Sequence, residues 1–329
     1  MPAETLPSYV AGSFQTTFHQ RWAELKNPHT RALAWLLDAP DLLDVMAPRW
    51  QGKIAQLPSH AGDDALDWLL QLDAAPQALE AFLGVHRLTR LGRYAENLLA
   101  WYFRHLGVLV AHGVQVRAGK EETIGEFDFL LQRDGALVHW EFATKFYLLY
   151  SDDPALAGLQ QTDYFIGPNL SDTLGKKIRK ILDRQLLLGS HPAAQPFLPQ
   201  PLSAAQALMK GWLFYRRGEA PALLQAGVSP QHCRGWWCTA GELAAHVGEA
   251  VAIIPRIAWM APVRLSGEQG LSVDAVRQVL LQEFARDSMP VMVAGLRRHG
   301  DEWLESERGF VVPDQWPQNA GQRLSVGMP

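Results

Sequence analysis

Apolar positions recur at three- and four-residue spacing over 16–26, 30–37, 64–72 and 76–85, with Pro and Asp breaks between the runs. That pattern predicts a helical region over residues 1–90. Trp22, Trp35 and Trp68 fall within it and are expected to anchor its packing. The strongest helical run follows at 91–106, LGRYAENLLAWYFRHL, apolar around most of its circumference with Arg93, Asn97 and Arg104 as a narrow polar stripe.

The period then changes from helical to two. Residues 108–117 predict a strand with a turn at Ala118-Gly119 behind it, and 123–147, TIGEFDFLLQRDGALVHWEFATKFY, predicts two more strands joined at Asp134-Gly135. Glu126 and Asp128 share a face of the first of these two. On the second, His139, Glu141, Ala143, Lys145 and Tyr147 share one face, and Trp140, Phe142, Thr144 and Phe146 the other. Pro154, Gly158 and Gly167-Pro168-Asn169 mark a loop. A helix capped by Ser171 or Asp172 is expected to run to about 187. Leu174, Ile178, Ile181 and Leu182 form its apolar face, and Lys176, Lys177, Arg179, Lys180 and Arg184 make the remaining surface basic. Residues 188–208 read as a loop with at most a short helix, and 210–216 as a strand. Beyond it, strands are expected at 234–238, 256–263, 290–296 and 308–312, and helices at 241–247 and 272–286.

This order divides the chain into a helical region at 1–90, a core at 91–217 and an α+β region at 218–329. Within the core the sequence is helix, strand, strand, strand, helix, strand. Short connections let the first three strands form an antiparallel meander, and the helix before the fourth suits a crossover onto the same sheet. An α/β fold follows, with a mixed sheet flanked by helices.

Composition changes little. At 329 residues, 48% hydrophobic and 19% charged, the chain has the balance of an ordinary globular protein. A net charge of −4 argues against bulk electrostatic binding to nucleic acid but not against a local basic surface. Two cysteines are too few for a disulfide framework. With no secretory pattern and no bilayer-length apolar stretch, a cytoplasmic protein without a membrane segment is expected. His232 beside Cys233 hints at zinc, but four ligands at metal spacing are not visible.

The acids within the apolar strands point to chemistry. A carboxylate there costs free energy unless it is paired or binds a metal. Adjacent strands lie about 4.8 Å apart, so Asp128 and Glu141 could converge on one divalent ion. Glu96, on the preceding helix, either joins them or pairs with a nearby arginine.

Several segments, LGRYAENLLAWYF at 91–103, GEFDFLL at 125–131, HWEFATKFYL at 139–148, GPN at 167–169, KGWLFYR at 210–216, HCRGWW at 232–237 and RGFVVPDQWP at 308–317, resemble the bacterial domain-of-unknown-function family DUF1853. Over 91–217 the element order and the spaced acids also resemble the PD-(D/E)XK (restriction-endonuclease-like) nuclease superfamily. That resemblance implies a Mg²⁺- or Mn²⁺-dependent nuclease acting on DNA or RNA, with Asp128 and Glu141 as metal ligands and Glu96 supporting the metal or its water. The superfamily spacing places a lysine at 143, where this chain has Ala143; Lys145 lies one strand period further on the same face, about 6.6 Å along. Phe127 stands where the superfamily has proline. Lys145 would orient the water or stabilise the transition state, and Lys176, Lys177, Lys180 and Arg184 would contact the phosphate backbone. Two other readings fit the same residues. One is a nuclease-like domain that binds nucleic acid or a protein partner without cutting. The other is a glycosidase with paired carboxylates, against which the lysine and the basic helix count.

Overall fold

The computed structural model describes residues 13–84, 89–119, 122–150, 161–216, 227–247, 250–267 and 270–325. The N-terminal region is helical, as its apolar spacing predicts: α1 (Phe14–Arg21), α2 (Pro28–Asp38), α3 (Ala61–Asp64), α4 (Leu66–Ala74) and α5 (Gln77–Leu83). Asn27 caps α2 by accepting from the backbone N–H groups of His29 and Thr30, and Pro28 starts the first turn, where no N–H is needed. Trp22 and Trp35 are fully buried here, while Trp68 is half-buried and stacks on His105.

The central run is α6 (Leu91–His105), β1 (Leu109–Ala118), β2 (Glu122–Arg133), β3 (Ala136–Leu149), a short β4 (Phe165–Ile166), α7 (Leu174–Asp183) and β5 (Leu202–Arg216). The β2–β3 hairpin turns at Asp134 (φ 49°) and Gly135 (φ 78°), two successive left-handed residues as a tight twisted hairpin requires. After it come β6 (Cys233–Thr239), β7 (Ala250–Ile253), β8 (Arg264–Ser266), α8 (Val273–Arg286), β9 (Val291–His299), β10 (Glu302–Val312) and α9 (Trp316–Ser325).

All ten of these strands belong to one mixed sheet with the order β1-β2-β3-β5-β6-β10-β9-β7; β4 pairs with β3 and β8 with β10. The β1–β2 and β2–β3 pairs are antiparallel, whereas β3–β5, β5–β6 and β6–β10 are parallel. The core and the region after it share this one sheet, because Trp212–Arg216 of β5 pairs with Cys233–Trp237 of β6. Its two faces carry separate cores. Phe129, Trp140, Phe142 and Phe146 pack with α6 and the N-terminal helices. On the opposite face Leu174, Ile178 and Ile181 of α7 share a buried cluster with Ala143, Tyr147, Met209 and Leu213.

Several boundaries differ from the sequence reading. Thr173, rather than Ser171 or Asp172, caps α7 by accepting from Lys176 N (3.1 Å), and the helix ends at Asp183, where a 3₁₀ segment over Gln185–Ser190 takes over. The strand expected at 210 begins at Leu202, because the whole parallel register with β3 sustains it. Residues 256–263 are not a strand: Pro255 interrupts the run, Arg256–Ala258 is a 3₁₀ turn, and the strand is β7 before it. The helix expected at 241–247 is a 3₁₀ segment over Ala240–Ala245. Pro154 and Gly158 lie outside the described residues. Among the described residues no helix is long and apolar enough to cross a membrane.

Candidate active site

The acids meet where the sheet forks. The β2–β3 ladder runs from Arg133↔Ala136 to Phe129↔Trp140 and stops, although both strands continue. One position further, Asp128 and Glu141 face each other. At the same point the side-chain alternation of β2 breaks: Phe127 and Leu130 enter one core cluster, Phe129 and Leu131 the other. β2 leaves β3 here, and Asp128 bridges the gap by accepting from the backbone N–H of Phe142 (2.9 Å).

Asp128 is half-buried and Glu141 almost wholly buried. Desolvation, and after it the charge each carboxyl feels from the other acids, pushes both above the usual carboxylate range, Glu141 the further. The two carboxyls interact directly. Glu141 Oε1 accepts from the side-chain amide of Gln185, while Oε2 has no hydrogen-bond partner and lies 3.8 Å from Nε2 of buried His139. Burial holds that imidazole neutral, its pKa lowered to about 4. A desolvated carboxylate pair with an oxygen left unpaired is a site short of positive charge.

Glu96 reaches the fork from α6. Its Oε1 accepts from His112 Nε2 (2.9 Å) and from Arg93 Nη1 (3.3 Å), and Arg93 also holds Glu126 at 3.1 Å. One oxygen each from Glu96, Glu126 and Asp128 lie within 4.8 Å of one another. The structure therefore brings Glu96 and Asp128 together as expected and adds Glu126, which the alternation of β2 had placed on the face of Asp128. Glu141 contacts this group through Asp128. These donors are all carboxylate oxygens, the set that suits a hard divalent ion such as Mg²⁺ or Mn²⁺.

The lysines divide. Lys145 points along the cleft to Asp172 (Nζ to Oδ2 3.1 Å), whose same oxygen accepts from the Tyr147 hydroxyl at 3.0 Å. Lys177 turns inward from α7, donates to Gln185 Oε1 (3.2 Å) and is the cation whose charge acts on both Glu141 and Asp128. Arg179 is taken by Asp163, while Lys180 and Arg184 are exposed and Lys176 is half-buried. Gln185 carried no signal in the sequence, since its role depends on the chain folding back after α7.

These groups line a cleft of about 470 Å³. Glu96, Asp128, Glu141, Lys145, Lys177 and Gln185 form its floor and walls, the loop at 167–172 closes one side, and Arg256, Trp259 and Met289 reach it from beyond residue 217. The zinc reading has no support in the structure. His232 is engaged by the Tyr215 hydroxyl (2.6 Å), and buried Cys233 and Cys238 belong to different core clusters.

Fold and site thus define an α/β protein with a carboxylate cluster at a fork in a large mixed sheet. The chain belongs to the family described as Domain of unknown function (DUF1853), whose model matches residues 31–312. No curated protein and no solved structure matches the chain.

Proposed function

We propose that the protein is a divalent-metal-dependent nuclease of the PD-(D/E)XK type that hydrolyses phosphodiester bonds in DNA or RNA. The observation that carries this reading is the Asp128–Glu141 pair at the β2–β3 fork, desolvated, joined by Glu96, and set in a cleft with Lys145 and Lys177. Support also comes from the order α6-β1-β2-β3, then the short β4, α7 and β5, a meander followed by a parallel crossover in keeping with the helix-strand-strand-strand-helix-strand order of the superfamily resemblance.

Asp128, Glu141 and Glu96 would hold the ion, with Glu126 within reach. Mg²⁺ or Mn²⁺ bound there supplies a Lewis acid and a water of lowered pKa. The protein's own groups do the rest. Lys177 presents a cation to a phosphate entering the cleft, whose wall also carries the Lys145–Asp172 pair. Lys176 and Lys180, one turn apart on α7, and exposed Arg184 just past its end contact the backbone on either side and give affinity without sequence readout. Gln185 fixes the Glu141 carboxyl, and His112 and Arg93 fix that of Glu96.

The test is cleavage of single- and double-stranded DNA and RNA with Mg²⁺ or Mn²⁺, using Asp128→Ala and Glu141→Ala as controls. Metal-dependent cleavage lost in both variants supports the reading. Cleavage unchanged in both overturns it. Binding of nucleic acid with no cleavage by the wild-type chain replaces it with a nuclease-like binding domain.

A further inference from the structure

We propose that Lys177, delivered by α7, is the active-site lysine, and that Gln185 is the positioning residue that holds it beside Glu141; this assignment rests on the nuclease reading of the same cleft.

One amide joins lysine to carboxylate. Gln185 Oε1 accepts from Lys177 Nζ (3.2 Å), and Gln185 Nε2 donates to Glu141 Oε1. An ammonium only donates, so the amide oxygen must face Lys177, which leaves its N–H₂ to face Glu141 in a single orientation. The backbone fixes both ends. Lys177 lies one turn past the Thr173 cap, its N–H donating to Thr173 O (3.0 Å). Gln185 opens the 3₁₀ segment that returns the chain to the sheet through buried Leu186 and Leu188.

The lysine on β3 is committed elsewhere. Asp172 neutralises Lys145, and Tyr147 donates to the same carboxylate oxygen, so this trio ties β3 to the loop at 167–172. Ala143, at the position where the superfamily spacing puts lysine, is buried in the cluster that Leu174 and Ile178 of α7 form with the sheet. Helix α7 thus covers the expected lysine position and supplies its own lysine at the carboxylates.

The full-length chain is assayed as wild type, Lys177→Met, Lys177→Arg, Lys145→Met and Gln185→Leu, with Lys177→Gln as a second variant if the methionine form unfolds by circular dichroism. Lys177→Met should lower kcat by about 100-fold or more, the usual worth of one group stabilising transition-state charge, with KM near the wild-type value. Lys177→Arg should recover part of that loss, Gln185→Leu should lower kcat rather than raise KM, and Lys145→Met should lose less than about tenfold. The reverse ranking of the two lysine variants overturns the assignment. A second readout needs no nucleic acid. Calorimetric Mn²⁺ affinity should tighten by about tenfold or more in Lys177→Met, as expected when one neighbouring cation is removed, and stay unchanged in Lys145→Met. If Mn²⁺ affinity tightens in this way but the wild-type chain cuts nothing, the nuclease reading falls while Lys177 stands as the cation of the metal site. Equal affinities in both variants, or no Mn²⁺ binding by any form, overturn the placement itself.

Discussion

Asp128 and Glu141 meet one position past the last rung of the β2–β3 ladder, and their carboxyls interact directly where burial favours the neutral form of each. Neither acid is neutralised by an ion pair of its own kind with arginine, as Glu96 and Glu126 are by Arg93. Two buried acids without an arginine partner make the behaviour of the fork depend on pH and on divalent ions.

For pH, both folded-state pKa values lie above the unfolded ones. Such groups favour the fold while protonated. Their contribution is full below the usual carboxylate range and is lost as pH rises through the raised values. In metal-free buffer the melting temperature should therefore fall between about pH 4 and about pH 9. Glu141→Gln keeps an oxygen for Gln185 and removes the ionisation. The variant should match wild type at the acid end and melt higher by about 3 °C or more at the alkaline end. Parallel melting curves for the two proteins across this range would refute the assignment.

Divalent ions should act in the opposite sense. Protons and metal compete for the same oxygens, so Mn²⁺ should raise the melting temperature more at about pH 8 than at about pH 6. At a hundredfold excess over Kd the gain is about 2.7 kcal/mol. Differential scanning fluorimetry with Mn²⁺, Mg²⁺ and K⁺ checks this, and Asp128→Asn should abolish the divalent response while leaving the K⁺ baseline unchanged.

Much of this site could be read in the sequence because strands alternate. The period of two put Glu141, Ala143, Lys145 and Tyr147 on one face of β3, and the Asp134-Gly135 turn fixed the register that brings the two acids together, but the break in the alternation of β2 at Asp128 gave no sequence signal. Residues whose role depends on chain reversal were not legible. Nothing in the basic run at 176–184 distinguishes inward Lys177 from outward Lys180, because that choice depends on the exact turn at which Thr173 starts the helix. The approach of Arg256 and Trp259 to the cleft depends on the sheet continuing through β6 and β10, a pairing between segments far apart in the chain. The segment at 256–263 misleads for a related reason. Its apolar residues are required by packing rather than by strand pairing, so period and propensity point to the wrong element.

Gly211 on β5 should be among the least tolerant positions near the site. It pairs with Lys145, and a Cβ there would sit 1.9 Å from the Lys145 carbonyl oxygen, a backbone atom that cannot move without parting β3 from β5. Gly211→Ala should destabilise by about 4 kcal/mol or more, the range reserved for such clashes. Urea denaturation gives the value. A loss under about 1 kcal/mol would mean that the two strands separate readily at this rung.

Arg308 should couple stability to the cleft from a distance. It is fully buried, pairs with buried Glu305 (Nε to Oε1 2.6 Å), lies 4.2 Å over the Trp212 ring, and donates to the carbonyls of Trp259, Met260 (3.3 Å) and Ala261 (2.9 Å). Glu305 in turn accepts from Val263 N (2.8 Å). Between them the pair satisfies a strand-less segment that would otherwise bury unpaired backbone groups, and that segment carries Trp259 to the cleft wall. Arg308→Met removes the charge and strands Glu305, so a loss of about 3–5 kcal/mol is expected. Arg308→Met/Glu305→Leu removes both charges and should recover part of it. If the segment is positioned by this network, Trp259 fluorescence and cleft function stay perturbed in the double variant even where stability returns. Full recovery of both would reduce the network to charge compensation alone.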